Sequence, residues 1–140
     1  MNRFVVDASV AVKWLVPEIH ANAAFRLLEK NNKLTAPDLI FPEIGNVLLK
    51  KSRAGEIEPD AAVEMLTDFK GLPLQTYKTD ESLEYAWTLA DSYRLSFYDS
   101  LYIALSLKTS SRMVTADKKL YNSLKNAPFK KYILWVEDIP

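Results

Sequence analysis

The run Phe4 to Val12, FVVDASVAV, sets the strictest condition on how this chain folds. It places a single carboxylate at the end of an unbroken apolar segment. Phe4, Val5 and Val6 favour β structure and read as a strand buried on both faces, whereas Ser9-Val10-Ala11-Val12 reads as the apolar start of a helix. Asp7 therefore falls at a strand-to-helix junction. In open α/β sheets ligands sit in the crevice beyond the carboxyl ends of the strands, so an acid at this junction faces a cleft. Helix capping by Asp7 or Ser9 accounts for the same residues taken alone.

Downstream, strand and helix patterns alternate. Ser9 to Val16 reads as a short helix stopped before Pro17, with Lys13 one turn after Ser9 and directed toward the Asp7 crevice. Glu18 to Lys30 carries Ile19, Ala23, Ala24, Leu27 and Leu28 at helical spacing; its His20, the only histidine, is read as solvated and without a role. Lys33 to Ala36 is a short strand closed by Pro37, and Asp38 is placed as the N-cap of a long helix reaching Ala54-Gly55. Within that helix Glu43 stands among Leu39, Ile40, Phe41, Ile44, Val47 and Leu48 and shares a face with Asn46, while Pro42 bends the helix or marks its true start.

Pro59-Asp60 opens another helix, with Ala62, Val63, Leu66 and Phe69 as its apolar stripe, and Leu74 to Tyr77 reads as an edge strand. Thr79 to Arg94 is an amphipathic helix whose stripe includes Leu83, Ala86, Trp87, Ala90 and Tyr93. LSFYDSLYIALSL is apolar on nearly all sides and predicts a central, buried helix with Asp99 in its first turn. A strand at Met113-Val114 leads at once into Ala116-Asp117 and a helix from Lys118 to Leu124, so Asp117 repeats the Asp7 arrangement. A strand from Tyr132 to Val136 closes the pattern. Such alternation predicts one domain spanning 1–140, built on a parallel α/β sheet with helices on both faces.

Composition narrows the chemistry. At 140 residues and 49% apolar, the chain can bury a full core. It has no cysteine, which excludes disulfides, thiolate catalysis and Cys-based zinc sites and is compatible with a reducing cytosol. No segment approaches the length of a membrane span and no signal peptide is evident, so a cytoplasmic protein without a membrane partner is expected. Formal net charge is zero. A nucleic-acid partner would thus have to be drawn by local basic patches or through a bound cation.

Of eighteen acidic residues, most lie in polar surroundings where a solvated helix face accounts for them. Asp7, Glu43, Asp99 and Asp117 instead interrupt or abut strongly apolar segments, and no matching set of arginines accompanies them. Burying unpaired carboxylates is costly unless a cation or hydrogen-bond donors compensate. If the four converge, their repulsion raises pKa values or calls for a metal, and oxygen-only ligation suits Mg²⁺ or Mn²⁺. Ser9 and Thr115 each lie two residues from one of these aspartates, where they either hydrogen-bond the carboxylates or cap helices.

The segments VVDAS, PEIGNVL, LSFYDSLYIALS and MVTADKKL together resemble the PIN-domain ribonucleases, in particular the VapC-type toxins of type II toxin–antitoxin pairs, over nearly the whole chain. The resemblance implies a three-layer α/β/α sandwich with a central, mostly parallel sheet of four to five strands. It maps the family's acidic cluster onto Asp7, Glu43, Asp99 and Asp117 as metal ligands and catalytic groups, with Ser9, Thr115 and Asn46 around them. It further implies Mg²⁺- or Mn²⁺-dependent endoribonuclease activity, RNA contact by Lys13, Lys118 and Lys119, a cognate antitoxin protein and a homodimer. Lys118 and Lys119 stand where some members carry a further acid. Tyr98 is a candidate for stacking a base, and Arg94 reads as solvated rim. Apolar residues of the Val47 to Phe69 hairpin serve either a partner surface or the core. Two other readings compete. A phosphatase would need a second aspartate where Ser9 stands, and a catalytically silent PIN-fold module would bind RNA or protein without cleaving.

Overall fold

β1 (Asn2–Val6) is the middle strand of a five-stranded sheet in the computed structural model, which describes residues 2–140. Phe4, Val5 and Val6 are fully buried, the state their unbroken apolar run requires of a strand covered on both faces. With β2 (Asn32–Pro37), β3 (Leu74–Tyr77), β4 (Arg112–Thr115) and β5 (Ile133–Trp135) the order is β3-β2-β1-β4-β5, and every pairing is parallel.

The helices are α1 (Ala8–Ala11), α2 (Ala21–Phe25), α3 (Ile40–Arg53), α4 (Pro59–Phe69), α5 (Leu83–Tyr93), α6 (Phe97–Thr109) and α7 (Lys118–Ser123). α1 packs against α2 and α3, and α3 against α4, whereas α6 lies across β1, β2 and β4 with α5 beside it. Connections from β1 to β2 and β2 to β3 step one way along the sheet, and those from β3 to β4 and β4 to β5 step the other way. Right-handed crossovers therefore put the two sets of helices on opposite faces. The result is a three-layer α/β/α sandwich whose direction reverses between β1 and β4, the position where such sheets open a ligand crevice. As its composition predicts, α6 is buried from Ser100 through Ser106; the hydroxyls of Ser100 and Ser106 donate to the backbone oxygens of Ser96 and Ser111.

Several local expectations are corrected. Asp38 does not cap α3: its N–H donates to Tyr77 O, extending the β2–β3 ladder by one residue, and its carboxylate accepts from Thr79 N–H at 3.1 Å. The helix starts two residues later, with Pro42 in its first turn, where a missing N–H costs nothing. The helix expected over Glu18 to Lys30 is shorter, because His20 takes a left-handed φ of 68°, leaving Ile19 outside it and 75% exposed. Val63 and Trp87 were assigned to apolar stripes but are 65% and 68% exposed. Each follows a buried alanine, Ala62 or Ala86, and one step along a helix turns a side chain about 100° away from its neighbour.

Candidate active site

The β1–α1 and β4–α7 junctions are stitched together through one carboxylate oxygen. Ser9 Oγ and Thr115 Oγ1 both donate to Asp7 Oδ2 at 2.8 Å. Ser9 Oγ in turn accepts from Ala116 N–H at 3.0 Å, and Thr115 Oγ1 from Asp117 N–H at 3.1 Å. Asp7 makes no side-chain cap to α1 and is 7% exposed, so the capping reading fails for it. Capping does hold for Asp117, whose Oδ1 accepts from Leu120 N–H at 3.0 Å at the start of α7.

Glu43 enters from the first turn of α3 and Asp99 from the first turn of α6, helices on opposite faces of the sheet. The Tyr102 hydroxyl, on a residue only 1% exposed, donates to Glu43 Oε1 at 2.6 Å. Burial above all, reinforced by the negative charge of Asp7 and Glu43, raises the Tyr102 pKa, so this phenol stays a donor. Tyr102 was not singled out from the sequence. The available signal was its place one turn after Asp99 on the same helix. Ser96 caps α6, its Oγ accepting from Asp99 N–H at 3.0 Å.

Three of the acids share a pattern: Asp7 Oδ2, Glu43 Oε1 and Asp117 Oδ1 are each held by a protein donor, while the second oxygen has no hydrogen bond among the described residues. Among the described residues no fully buried side-chain oxygen lacks a partner, so the second oxygens of Asp7 and Glu43 keep some solvent access, and Asp117 is exposed outright. The four carboxylates also act on one another. Burial pushes Asp7 up to about 6, against hydrogen bonds from Ser9 and Thr115 and with the charges of Asp99 and Glu43 adding to the rise. Burial likewise raises Glu43, opposed by the Tyr102 hydrogen bond and helped by Asp99. Asp99 is raised by burial, opposed by Ser96 and helped by the charge of Asp117. None of the salt bridges among the described residues reaches any of the four.

Oxygen-only groups that repel one another, with surface-facing oxygens and no cationic partner, fit a hard divalent cation. Among the described residues no three His, Asp or Glu side chains are arranged to enclose an ion directly.

Not every expected residue joins the cluster. Lys13 is turned away: it is 6% exposed, and its Nζ donates to Glu18 Oε1 at 2.9 Å, because a buried ammonium takes the nearest carboxylate. Asn46 is exposed on α3 and forms no side-chain hydrogen bond to the acids among the described residues. Lys118 and Lys119 are exposed in the first turn of α7, next to Asp117. Tyr98 is 59% exposed beside Asp99, and Arg94 is exposed at the left-handed end of α5.

Known proteins resemble this chain in sequence and in fold. The PIN domain model matches residues 4–123. The chain is 34% identical over 122 residues to Ribonuclease VapC3 of Pyrobaculum aerophilum, covering 84% of this chain and 92% of that one. To Ribonuclease VapC1 of Mycobacterium tuberculosis it is 31% identical over 121 residues, covering 86% and 90%. The crystal structure of PAE2754 from Pyrobaculum aerophilum superposes with a TM-score of 0.69 at 25% identity, covering 97% of this chain and 90% of that one.

Proposed function

The chain belongs to the PIN domain family, and from that premise we propose that it is an RNA-cleaving hydrolase of the VapC type, the toxin of a type II toxin–antitoxin pair, with 1–140 as a single PIN domain. The observation that carries this reading is the carboxylate cluster at the β1–β4 reversal, with three acids anchored by one oxygen and keeping solvent access at the other. Asp7, Glu43, Asp99 and Asp117 would hold Mg²⁺ or Mn²⁺, which when bound supplies a Lewis acid for the phosphodiester and for water.

The chain's own residues fix the geometry. Ser9 and Thr115 lock the Asp7 carboxylate in one orientation, and Tyr102 does the same for Glu43 from the opposite layer. Asp117 is fixed by the backbone of its own helix. Water attacks phosphorus, an acid of the cluster takes up its proton, one P–O ester bond breaks, and the departing ribose oxygen takes a proton from solvent to leave as an alcohol. No histidine or cysteine is required, and the one histidine, His20, is engaged by another partner, its Nδ1 lying 2.6 Å from Glu137 Oε2.

The antitoxin belongs to the same proposal, as a protein that covers the acidic cleft. Leu49 and Val63 on the α3–α4 hairpin are 45% and 65% exposed and offer apolar surface to a protein partner, the antitoxin or a second copy in a homodimer. Among the described residues no helix is long and apolar enough to cross a membrane, and a cytoplasmic location is part of the reading. The competing reading is a silent PIN-fold module that binds RNA or protein. Glu43→Gln separates the two. Loss of RNA cleavage with RNA binding retained supports the hydrolase, whereas a parent chain that binds RNA but leaves it intact supports the module.

A further inference from the structure

Beside the acids, the carboxyl edge of the sheet carries an aromatic cluster that the hydrolytic reading does not use. Trp135 ends β5, and its partner across the strand pair is Thr115, the residue whose hydroxyl holds Asp7. Paired residues of parallel strands direct their side chains to the same face, and neighbouring strands lie about 4.8 Å apart. Trp135 therefore stands on the Thr115 side of the sheet, one strand from the carboxylate cluster. Its partly exposed ring is flanked by His20, edge-to-face at 5.4 Å between centroids, and by Tyr121 at 5.7 Å. Lys118 Nζ lies 4.5 Å from the Trp135 centroid and 5.8 Å from that of Tyr121, and it pairs with no carboxylate among the described residues.

We propose that Trp135 and Lys118 form a nucleotide subsite of the cleft, the indole stacking one base of a single-stranded RNA and the ammonium meeting the adjoining phosphate. This rests on the ribonuclease reading and names the form of RNA it takes. The acids repel a phosphate backbone, so positive charge has to be supplied at their rim, and Lys118 is a cation next to Asp117 that pairs with no carboxylate among the described residues and lies over the Trp135 ring. The flexible lysine stem lets the ammonium leave the ring for a phosphate without moving α7. A base reaches an indole only when it is unstacked, which selects single strands and loops over duplex, and stacking tolerates any base.

The test is equilibrium binding of a fluorescein-labelled single-stranded RNA, and of the same strand with abasic residues, to the full chain carrying Asp99→Asn so that the RNA stays intact. Trp135→Leu in this background is expected to bind intact RNA about 5- to 150-fold more weakly, with little change on the abasic strand. Trp135→Phe restores most of the affinity. Lys118→Ala weakens both strands alike and lowers the salt dependence by about one phosphate contact. Unchanged affinity in Trp135→Leu, or equal losses on intact and abasic strands, overturns the subsite and leaves the ribonuclease reading standing when the parent cleaves RNA. A parent that neither cleaves nor binds RNA overturns both.

Discussion

Asp7 is a buried carboxylate stabilised by the two hydroxyls it accepts from and, below its raised pKa, by a bound proton. Its pKa lies at about 6 in the folded chain against an ordinary 3.8. Between those values the folded state binds a proton that the unfolded chain has released, so the metal-free protein loses stability as pH rises through that window. The Asp7 contribution is about 3 kcal/mol, about 1.36 kcal/mol per pKa unit. Denaturant melts of metal-free protein at pH 4 and pH 7 measure it, and Asp7→Asn is expected to flatten the slope. Asp7 was legible because a lone acid ends an apolar run, and Ser9 and Thr115 because each sits two residues from such an acid. The fate of long side chains was not. Lys13 shares a helical face with the crevice, yet Glu18 five residues on captures it, and only the fold decides which neighbour is nearer. Tyr102 and Trp135 were hidden for the same reason, since their apolar bodies fit any core.

At the scale of elements, α6 carries both faces of the argument: seven consecutive buried residues make it structural, and its first turn delivers Asp99 and, one turn on, the Tyr102 hydroxyl. Asp99→Asn preserves size and leaves the Ser96 cap, which engages the backbone N–H, in place. It is expected to abolish RNA cleavage while keeping the melting temperature within about 4 °C, the shift that about 1 kcal/mol produces in a domain this small. Asp80→Asn, just before α5, and Glu84→Gln, in its first turn, alter exposed acids and should leave cleavage near the parent level. A comparable loss in those controls, followed by the same gel assay, would refute the sorting of carboxylates by their surroundings. Helix and strand periodicity located nearly every element, including the short edge strand Leu74–Tyr77. It failed where backbone geometry intervened, at the left-handed His20 and at Asp38, which the strand ladder holds until Thr79 takes its carboxylate.

For the whole molecule, the decisive feature is the reversal of strand order between β1 and β4, which opens one crevice to acids from both helical layers. Parallel pairing followed from the alternation of strands and helices, but the order of the strands rests on contacts between residues a hundred positions apart, such as Ser9 with Ala116 and Asp7 with Thr115. Convergence of the four acids was therefore an assumption in the sequence; the fold brings them within range of one another's charge, without arranging any three among the described residues to enclose an ion directly. We propose that they act as one cation-recruiting centre, and calorimetric titration of Mn²⁺ into the metal-free chain tests this most directly. Asp7→Asn, Glu43→Gln, Asp99→Asn and Asp117→Asn should each weaken Mn²⁺ binding by at least about tenfold, the loss that even indirect supporting groups cause at metal sites, with Asp80→Asn unchanged. Undiminished Mn²⁺ affinity in Asp7→Asn and Asp99→Asn would contradict the account.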